Sequence, residues 1–268
     1  METINRAGDG INREQFQPVK SADRTLEILE RLAESGPRPT LAELAAELGI
    51  PKSSLHAILR TMQRRRWVET DASGLRFGLG VRAVEVGASY VDSDDLVARL
   101  DPVLDWLSEE LGETVHVGRI DGDDIVYIAK RESRHPLRLY SAIGRRLPAH
   151  ATALGKAILA THLPADVDER LSFPLARLTA NTITDASDLH RDLAATRDRG
   201  YAIDREENTE GIRCFAIAVP GRDRTAADAI SLSVPIFRLD DQHQQRVVDT
   251  LLGAADRVRA PHFHHRAQ

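Results

Sequence analysis

Residues 40–66 run TLAELAAELGIPKSSLHAILRTMQRRR, and their spacing decides the architecture of the N-terminal region. Thr40 is a helix cap, and Glu43 three residues on completes a capping box in which each side chain satisfies the other's backbone amide. Leu41, Leu44, Ala45 and Leu48 then recur at helical spacing, which gathers them on one face. Gly49 closes that short helix, because glycine tolerates the left-handed conformation just past a helix end, and Pro51 is favoured at the first position of the next. In the following helix Leu55, Ile58, Leu59 and Met62 form the core stripe, and Lys52, Ser53, Ser54, His56 and Arg60 lie off it. Two short helices across so tight a turn make the helix-turn-helix pattern, whose second helix enters a DNA major groove. Residues 67–70 and 75–79 read as strands around a turn at Asp71-Ala72-Ser73-Gly74, so a wing follows directly.

Upstream of this module, Ala22, Leu26, Leu29 and Ala33 predict a helix with that face inward, broken by Gly36-Pro37-Arg38-Pro39. Downstream, Val81, Val84 and Ala88 align on a helix leading away. The larger remainder opens with Asp94 or Asp95 as a cap and an apolar ladder of Leu96, Leu100, Val103, Leu104, Leu107 and Leu111, with a kink expected at Pro102. Strands are predicted over 114–120 and 125–130, joined by the hairpin signal Asp121-Gly122-Asp123-Asp124, and again over 137–141, 201–204, 211–219 and 229–234. Helices are predicted over 152–162, 189–198 and 240–257. Hairpins mixed with helices imply an α+β domain around a largely antiparallel sheet. The expected division is a disordered leader over 1–18, a winged helix-turn-helix domain over 19–80, a linker helix over 81–92, a second domain over 93–258 and a disordered tail over 259–268.

At 268 residues the chain is long for one domain and natural for two. No apolar run approaches the roughly 18 residues that span a bilayer, which excludes a membrane protein. The polar start, with Arg6, Asp9, Arg13 and Glu14, excludes a secretory signal, so a cytoplasmic location is expected. The single cysteine, Cys214, excludes an internal disulfide and a Cys-rich zinc site, which fits a reducing compartment. His262, His264 and His265 invite a metal reading, but a disordered tail is the simpler account, and neither metal nor cofactor is expected. The net charge of −5 hides a local reversal: residues 51–66 hold Lys52, Arg60, Arg64, Arg65 and Arg66 and no acid. Local charge decides where a phosphate backbone docks.

Residues 41–56 resemble the DNA-binding domain of IclR-family transcriptional regulators. Gly112-Glu113-Thr114-Val115-His116, the run GRRLPAHATALGKA over 144–157, Arg199-Gly200-Tyr201-Ala202 and Gly211-Ile212-Arg213-Cys214 are similar, in order, to that family's effector-domain motifs. The resemblance implies a winged helix-turn-helix, a connecting helix and a GAF-like effector-binding domain. It further implies homodimers or dimers of dimers on palindromic double-stranded DNA operators, with repression the commoner mode of regulation. A small organic or aromatic acid is the implied effector, in a pocket lined by Leu137, Ala153, Leu154, Asp204, Ile212, Cys214, Ser231 and Ser233. Two positions depart from the family's pattern. Ala57 stands where the family often has Arg, which removes one expected DNA contact. Arg66 replaces a frequent Gly before the wing's aromatic, which argues against a left-handed cap there and adds a cation.

The expected DNA-binding set is Thr40, Lys52, Ser53, Ser54, His56, Arg60, Arg64 and Arg76. Ser53, Ser54 and His56 are short enough to approach base edges, while Lys52, Arg60 and Arg64 suit phosphates. Arg76 in the wing reaches backbone, minor groove or nothing. The plainer reading of the same residues is the solvated face of an amphipathic helix. In the second domain, Ser231 and Ser233 alternate with Ile230, Leu232 and Val234, which by spacing alone means a wet outer face, and a lone Cys214 is most often a buried structural thiol. The resemblance reverses both readings: amides near 152–154 accept a carboxylate, the serines donate hydrogen bonds, and Asp204 orients a ligand hydroxyl, a water or a backbone amide. The run ending Gly155-Lys156-Ala157 is not a phosphate-binding Walker loop, because His150 and Ala157 occupy its first-Gly and Ser/Thr positions. Two rivals stand beside the regulator: an enzyme with Cys214 as nucleophile and His150 or His116 as base, and a constitutive DNA-binding protein whose larger domain only oligomerises.

Overall fold

A computed structural model describes residues 17–34, 36–136, 141–221 and 225–259. The expected leader up to residue 16, the strand residues 137–140 with Leu137, and the tail from 260 lie outside the described residues. The chain divides into two compact units between Tyr90 and Val91.

The first unit contains α1 (Lys20–Ala33), α2 (Leu41–Glu47), α3 (Lys52–Arg64), the antiparallel pair β1 (Val68–Thr70) and β2 (Phe77–Leu79), and α4 (Val81–Asp92). Its core is Ile28, Leu44, Ile50, Leu55, Leu59, Met62, Val68 and Phe77. The capping box forms as the spacing implied. Gly49 adopts a φ of 62°, the conformation that lets the chain turn from the end of α2 at Glu47 to the start of α3 at Lys52. Pro51 is the N-cap of α3 rather than its first turn. α1 turns a different face inward than its small-residue stripe suggested: Ile28 is buried and Leu29 and Leu32 partly so, while Ala22, Leu26 and Ala33 are exposed. The stripe of larger branched side chains buries more apolar area, and it sets the rotation of the helix. α4 buries none of its residues.

The second unit is built on a six-stranded antiparallel sheet in the order β5-β4-β3-β8-β7-β6. Asp94 caps α5 (Asp95–Leu111), which continues through Pro102. β3 (Thr114–Asp121) and β4 (Asp124–Arg131) close across Gly122-Asp123, where the turn signal stood. β5 (Arg146–Pro148) leads through a 3-10 turn at Ala149–Ala151 into α6 (Ala153–Leu159), followed by α7 (Pro164–Arg170) and α8 (Ala186–Arg199). β6 (Ala202–Arg205), β7 (Ile212–Val219), β8 (Asp228–Pro235) and α9 (Asp241–Arg259) complete the unit. α5 and α9 cover one face of the sheet through Leu104, Leu107, Val247 and Leu251; α6 and α8 cover the other through Leu154, Ile158, Leu189 and Leu193. Because both faces are covered, every residue of β8 is buried, Ser231 and Ser233 included. The wet-face reading of the serine alternation is therefore wrong. A strand sandwiched between helix layers has no solvent side.

Candidate DNA-reading helix and ligand cavity

In the first unit α3 buries Leu55, Leu59 and Met62 and turns Lys52, Ser53, His56, Arg60 and Arg64 outward as exposed residues, with Ser54 half-buried. Arg65 and Arg66, just past its end, are also exposed. Arg66 takes a φ of 62°, so the left-handed cap that its side chain argued against is present. The Arg66 amide donates to Gln63 O at 3.0 Å and the Trp67 amide to Met62 O at 3.0 Å, and these bonds hold the reversal into β1.

Thr40 and Arg76 stand apart from the α3 residues. Thr40 Oγ1 accepts from the Glu43 amide, Glu43 Oε2 accepts from the Thr40 amide at 2.6 Å, and Thr40 bridges to Arg76 across backbone. Arg76 Nη1 donates to Arg38 O at 2.7 Å and lies 3.7 Å from Glu43 Oε2. These two residues clasp the wing to the start of α2. The six on α3 form the outward face, which holds no acid in its first turn.

In the second unit a cavity lies beneath α6 on the sheet. It is lined by Ala153, Leu154, Asp204, Ile212, Cys214, Ser231 and Ser233, so seven of the expected pocket residues come together, and by Tyr127, Arg145, Leu147, Thr152, Asn208 and Thr209 as well. The register shows how strands separated in sequence build it. Asp204 stands opposite Cys214, Cys214 opposite Ser233 and Ser233 opposite Thr114, a polar row across β6, β7, β8 and β3. The space left for the centres of water-sized groups is about 20 Å³, roughly enough for one or two waters. Thr152 Oγ1 accepts from the Gly155 amide at 3.0 Å, so that amide is already satisfied within the helix cap.

Burial dominates the titration of the lining. It lifts the Asp204 carboxyl to about 7, against the Glu207 amide whose hydrogen bond Oδ1 accepts at 2.7 Å. Burial and the neighbouring Asp204 push the Cys214 thiol up, and Cys214 Sγ donates to Ser233 Oγ at 3.3 Å. Burial also pushes the Tyr127 phenol up, with the Arg145 charge acting the other way and Asp204 adding to the rise. His116 stacks on Tyr127 with ring centroids 4.3 Å apart, and its Nε2 lies 2.7 Å from Ser141 Oγ. Burial, helped by the Lys130 and Arg145 charges, holds the His116 imidazole down at about 3. His150, the other base considered for Cys214, is hydrogen-bonded to Ala176 O at 3.0 Å.

Sequence reading missed the support beneath the cavity. Lys156 is fully buried, 2.6 Å from Glu207 Oε1 and 2.9 Å from Asp192 Oδ2. Thr182 Oγ1 donates to Glu207 O at 2.7 Å. Lys156 thus pins the segment after β6, which carries Asn208 and Thr209, to α6 and α8. A lysine this deep is a sequence signal only once its partners are known, and Glu207 is 51 residues away.

Residues 21–72 match the family described as IclR helix-turn-helix domain, and residues 88–260 the family described as bacterial transcriptional regulator IclR C-terminal. The chain is 36% identical over 243 residues to the transcriptional repressor IclR of Escherichia coli strain K12, covering 90% of this chain and 89% of that protein. It superimposes on the crystal structure of an IclR transcriptional regulator from Alicyclobacillus acidocaldarius with a TM-score of 0.81 at 25% identity, covering 90% of this chain and 98% of that one. An IclR homolog from Microbacterium hydrocarbonoxydans, crystallised with 4-hydroxybenzoate, shares the fold with a TM-score of 0.74 at 20% identity, over 89% of this chain and 99% of that one.

Proposed function

This chain belongs to the IclR family of bacterial transcriptional regulators, and from that premise we propose that it is a cytoplasmic repressor whose operator affinity is set by a small organic acid held in the cavity. α3 reads a palindromic operator, with Ser53, Ser54 and His56 at base edges and Lys52, Arg60 and Arg64 on phosphates. Pairing of copies, as a homodimer or a dimer of dimers, supplies the second half-site. The observation that carries this reading is the outward face of α3, five exposed side chains of cationic or hydrogen-bonding type around an apolar core stripe. The relative that holds 4-hydroxybenzoate supports an acid as the class of effector on this fold. The space left for the centres of water-sized groups is about 20 Å³, so an occupant of that size requires side chains of the lining to shift.

The enzyme reading is disfavoured by the chemistry of Cys214. A nucleophilic cysteine needs a depressed pKa, and burial pushes this thiol up. The decisive experiment titrates the full chain onto its own promoter fragments at several salt concentrations, with and without a panel of small acids. Affinity that falls linearly on a log-log salt plot, and release of the fragment by one of the acids, is the expected result. Salt-insensitive or absent affinity for every duplex removes the DNA-reading role. Binding that no acid alters leaves the constitutive DNA-binding protein as the surviving account.

A further inference from the structure

We propose that Arg119, bridged between Asp94 and Asp228, is a positioning residue for operator binding: the three side chains fix the turn at which α4 leaves the second unit, and with it the spacing of paired α3 helices. The proposal rests on the reading that paired copies bind a palindrome. α4 ends at Asp92 and α5 starts at Asp95, so only Ser93 and Asp94 connect them. The Asp94 amide donates to Val91 O at 3.1 Å, and Val91 packs against the core of the second unit. Asp94 uses both carboxylate oxygens at this turn. Oδ1 accepts from the Leu96 amide at 3.0 Å and the Val97 amide at 3.4 Å, which caps α5, and Oδ2 accepts from Arg119 Nη1 at 2.6 Å. Arg119 stands on β3 directly opposite Asp228, the first residue of β8, and donates to it through Nε at 2.7 Å and Nη2 at 3.3 Å. One guanidinium therefore ties the cap of α5 to both strands.

The Asp94 and Asp228 side chains are only 11% and 12% exposed, and a shielded two-point contact with a planar guanidinium holds its geometry where an open surface pair does not. The trio also meets the parts that it would connect. At the far end of α4 the Arg82 amide donates to Arg66 O at 3.2 Å, and Arg66 lies two residues past α3. A helix of 12 residues, roughly 18 Å long, is thus bonded at its start to the exit of the DNA-reading helix and joined at its end to the clamped turn. On the sheet, Arg119 follows Gly118, where an added Cβ would meet Leu154 Cδ1 at 2.8 Å. Leu154 lines the cavity, and so does Ser231, three residues beyond Asp228 on β8. A shift of that lining bears on the two strands that the guanidinium holds. A second bridge offers a comparison: Arg131 on β4 holds Asp105 at 2.6 Å and Asp101 at 3.0 Å, which ties the middle of α5 to the sheet and leaves its cap untouched.

Fluorescence anisotropy of the full chain on a duplex carrying the palindrome of its own promoter, and on a duplex carrying one half-site, tests the assignment. Arg119→Met is expected to weaken the palindrome roughly three- to thirtyfold and to leave the half-site unchanged, with Arg119→Lys recovering part of the loss. Burial pushes the Asp228 carboxyl up against the Arg119 charge, so in Arg119→Met that carboxyl takes up a proton instead of remaining a buried anion. Asp94→Asn keeps the oxygen that caps α5 and is the milder variant, expected to act in the same direction. The double variant should lose no more than Arg119→Met alone, because the two residues act as one unit. Arg131→Met should change neither affinity. Amide exchange over 91–97 should be faster in Arg119→Met than in wild type, and unchanged exchange there overturns the clamp. Palindrome and half-site weakened alike make Arg119 a contributor to folding only and overturn the proposal, as does an unchanged palindrome affinity or an equal effect of Arg131→Met. Wild type that binds the half-site as tightly as the palindrome overturns the pairing on which the proposal rests, and wild type that binds no duplex overturns the DNA-reading role and the proposal together.

Discussion

Burial at single residues leaves measurable signs. Asp204 has a folded-state pKa of about 7 against an ordinary 3.8. The fold therefore binds a proton there that the unfolded chain releases. The linked stability is complete below the ordinary value and is lost as pH rises through about 7. Asp204→Asn keeps an oxygen to accept the Glu207 amide and carries no charge to bury. Its melting temperature relative to wild type is expected to rise between pH 5 and pH 8, and a difference that stays flat with pH would show that Asp204 is not the titrating group. Arg66 bears a different cost, a side chain at a φ of 62°, which is roughly 1 kcal/mol worse than glycine in that region. Arg66→Gly should raise the melting temperature slightly while removing one cation beside α3; a lower melting temperature would mean that the side chain contributes more than the strain removes. These two residues also show what single positions reveal in sequence. Asp204 stood out through a resemblance, whereas Arg66 pointed the wrong way, because its side chain argued against the left-handed cap that the backbone there adopts.

Helices and strands were legible where one local rule acted alone. The capping box and Gly49 place α2 and α3 to within a residue, and Asp121-Gly122-Asp123-Asp124 places the β3–β4 turn. Legibility failed where tertiary burial overrode the pattern. α1 turned to bury Ile28, β8 is covered on both faces, and β5 and α7 are too short to show a period. The close approach beneath α6 was equally invisible. A Cβ added at Gly155 would meet Ala149 O at 2.1 Å and Ala149 Cα at 2.4 Å, and backbone cannot give way as a side chain does. Gly155→Ala is expected to cost roughly 1–3 kcal/mol or more in chemical denaturation and to weaken acid binding, since α6 roofs the cavity; unchanged stability would mean that α6 can shift freely. On α3 the prediction concerns slope rather than stability. Lys52→Ala and Arg60→Ala should each lower the salt dependence of DNA binding by about 1 in log-log slope across all sequences, whereas Ser54→Ala or His56→Ala should change which sequence is preferred. A wild-type slope in Lys52→Ala removes its phosphate role.

For the molecule as a whole, regulation requires that the acid and the operator each alter the other's affinity. The chain divides into two compact units between Tyr90 and Val91, so under the proposed function an acid would alter DNA affinity only by favouring one arrangement over another. An acid with equal affinity for both arrangements shifts nothing, however tightly it binds. α4 bears on this coupling because it exposes Val81, Val84, Val86 and Tyr90. Exposed apolar side chains along one helix are the kind of surface that a second copy covers, and the proposed function requires a second copy for the other half-site. Thermodynamic linkage makes the consequence quantitative: if saturating acid weakens operator affinity by some factor, saturating operator must weaken acid affinity by the same factor. Coupling of this kind is typically about 5–150-fold. Calorimetry of the acid with and without operator duplex, set beside fluorescence anisotropy of the duplex with and without acid, measures both sides of that cycle. Equal factors greater than one make the acid a ligand that releases the operator, and equal factors below one make it a ligand that strengthens operator binding. Factors of one on both sides mean that acid and operator bind without communication, and the cavity then plays no part in regulation.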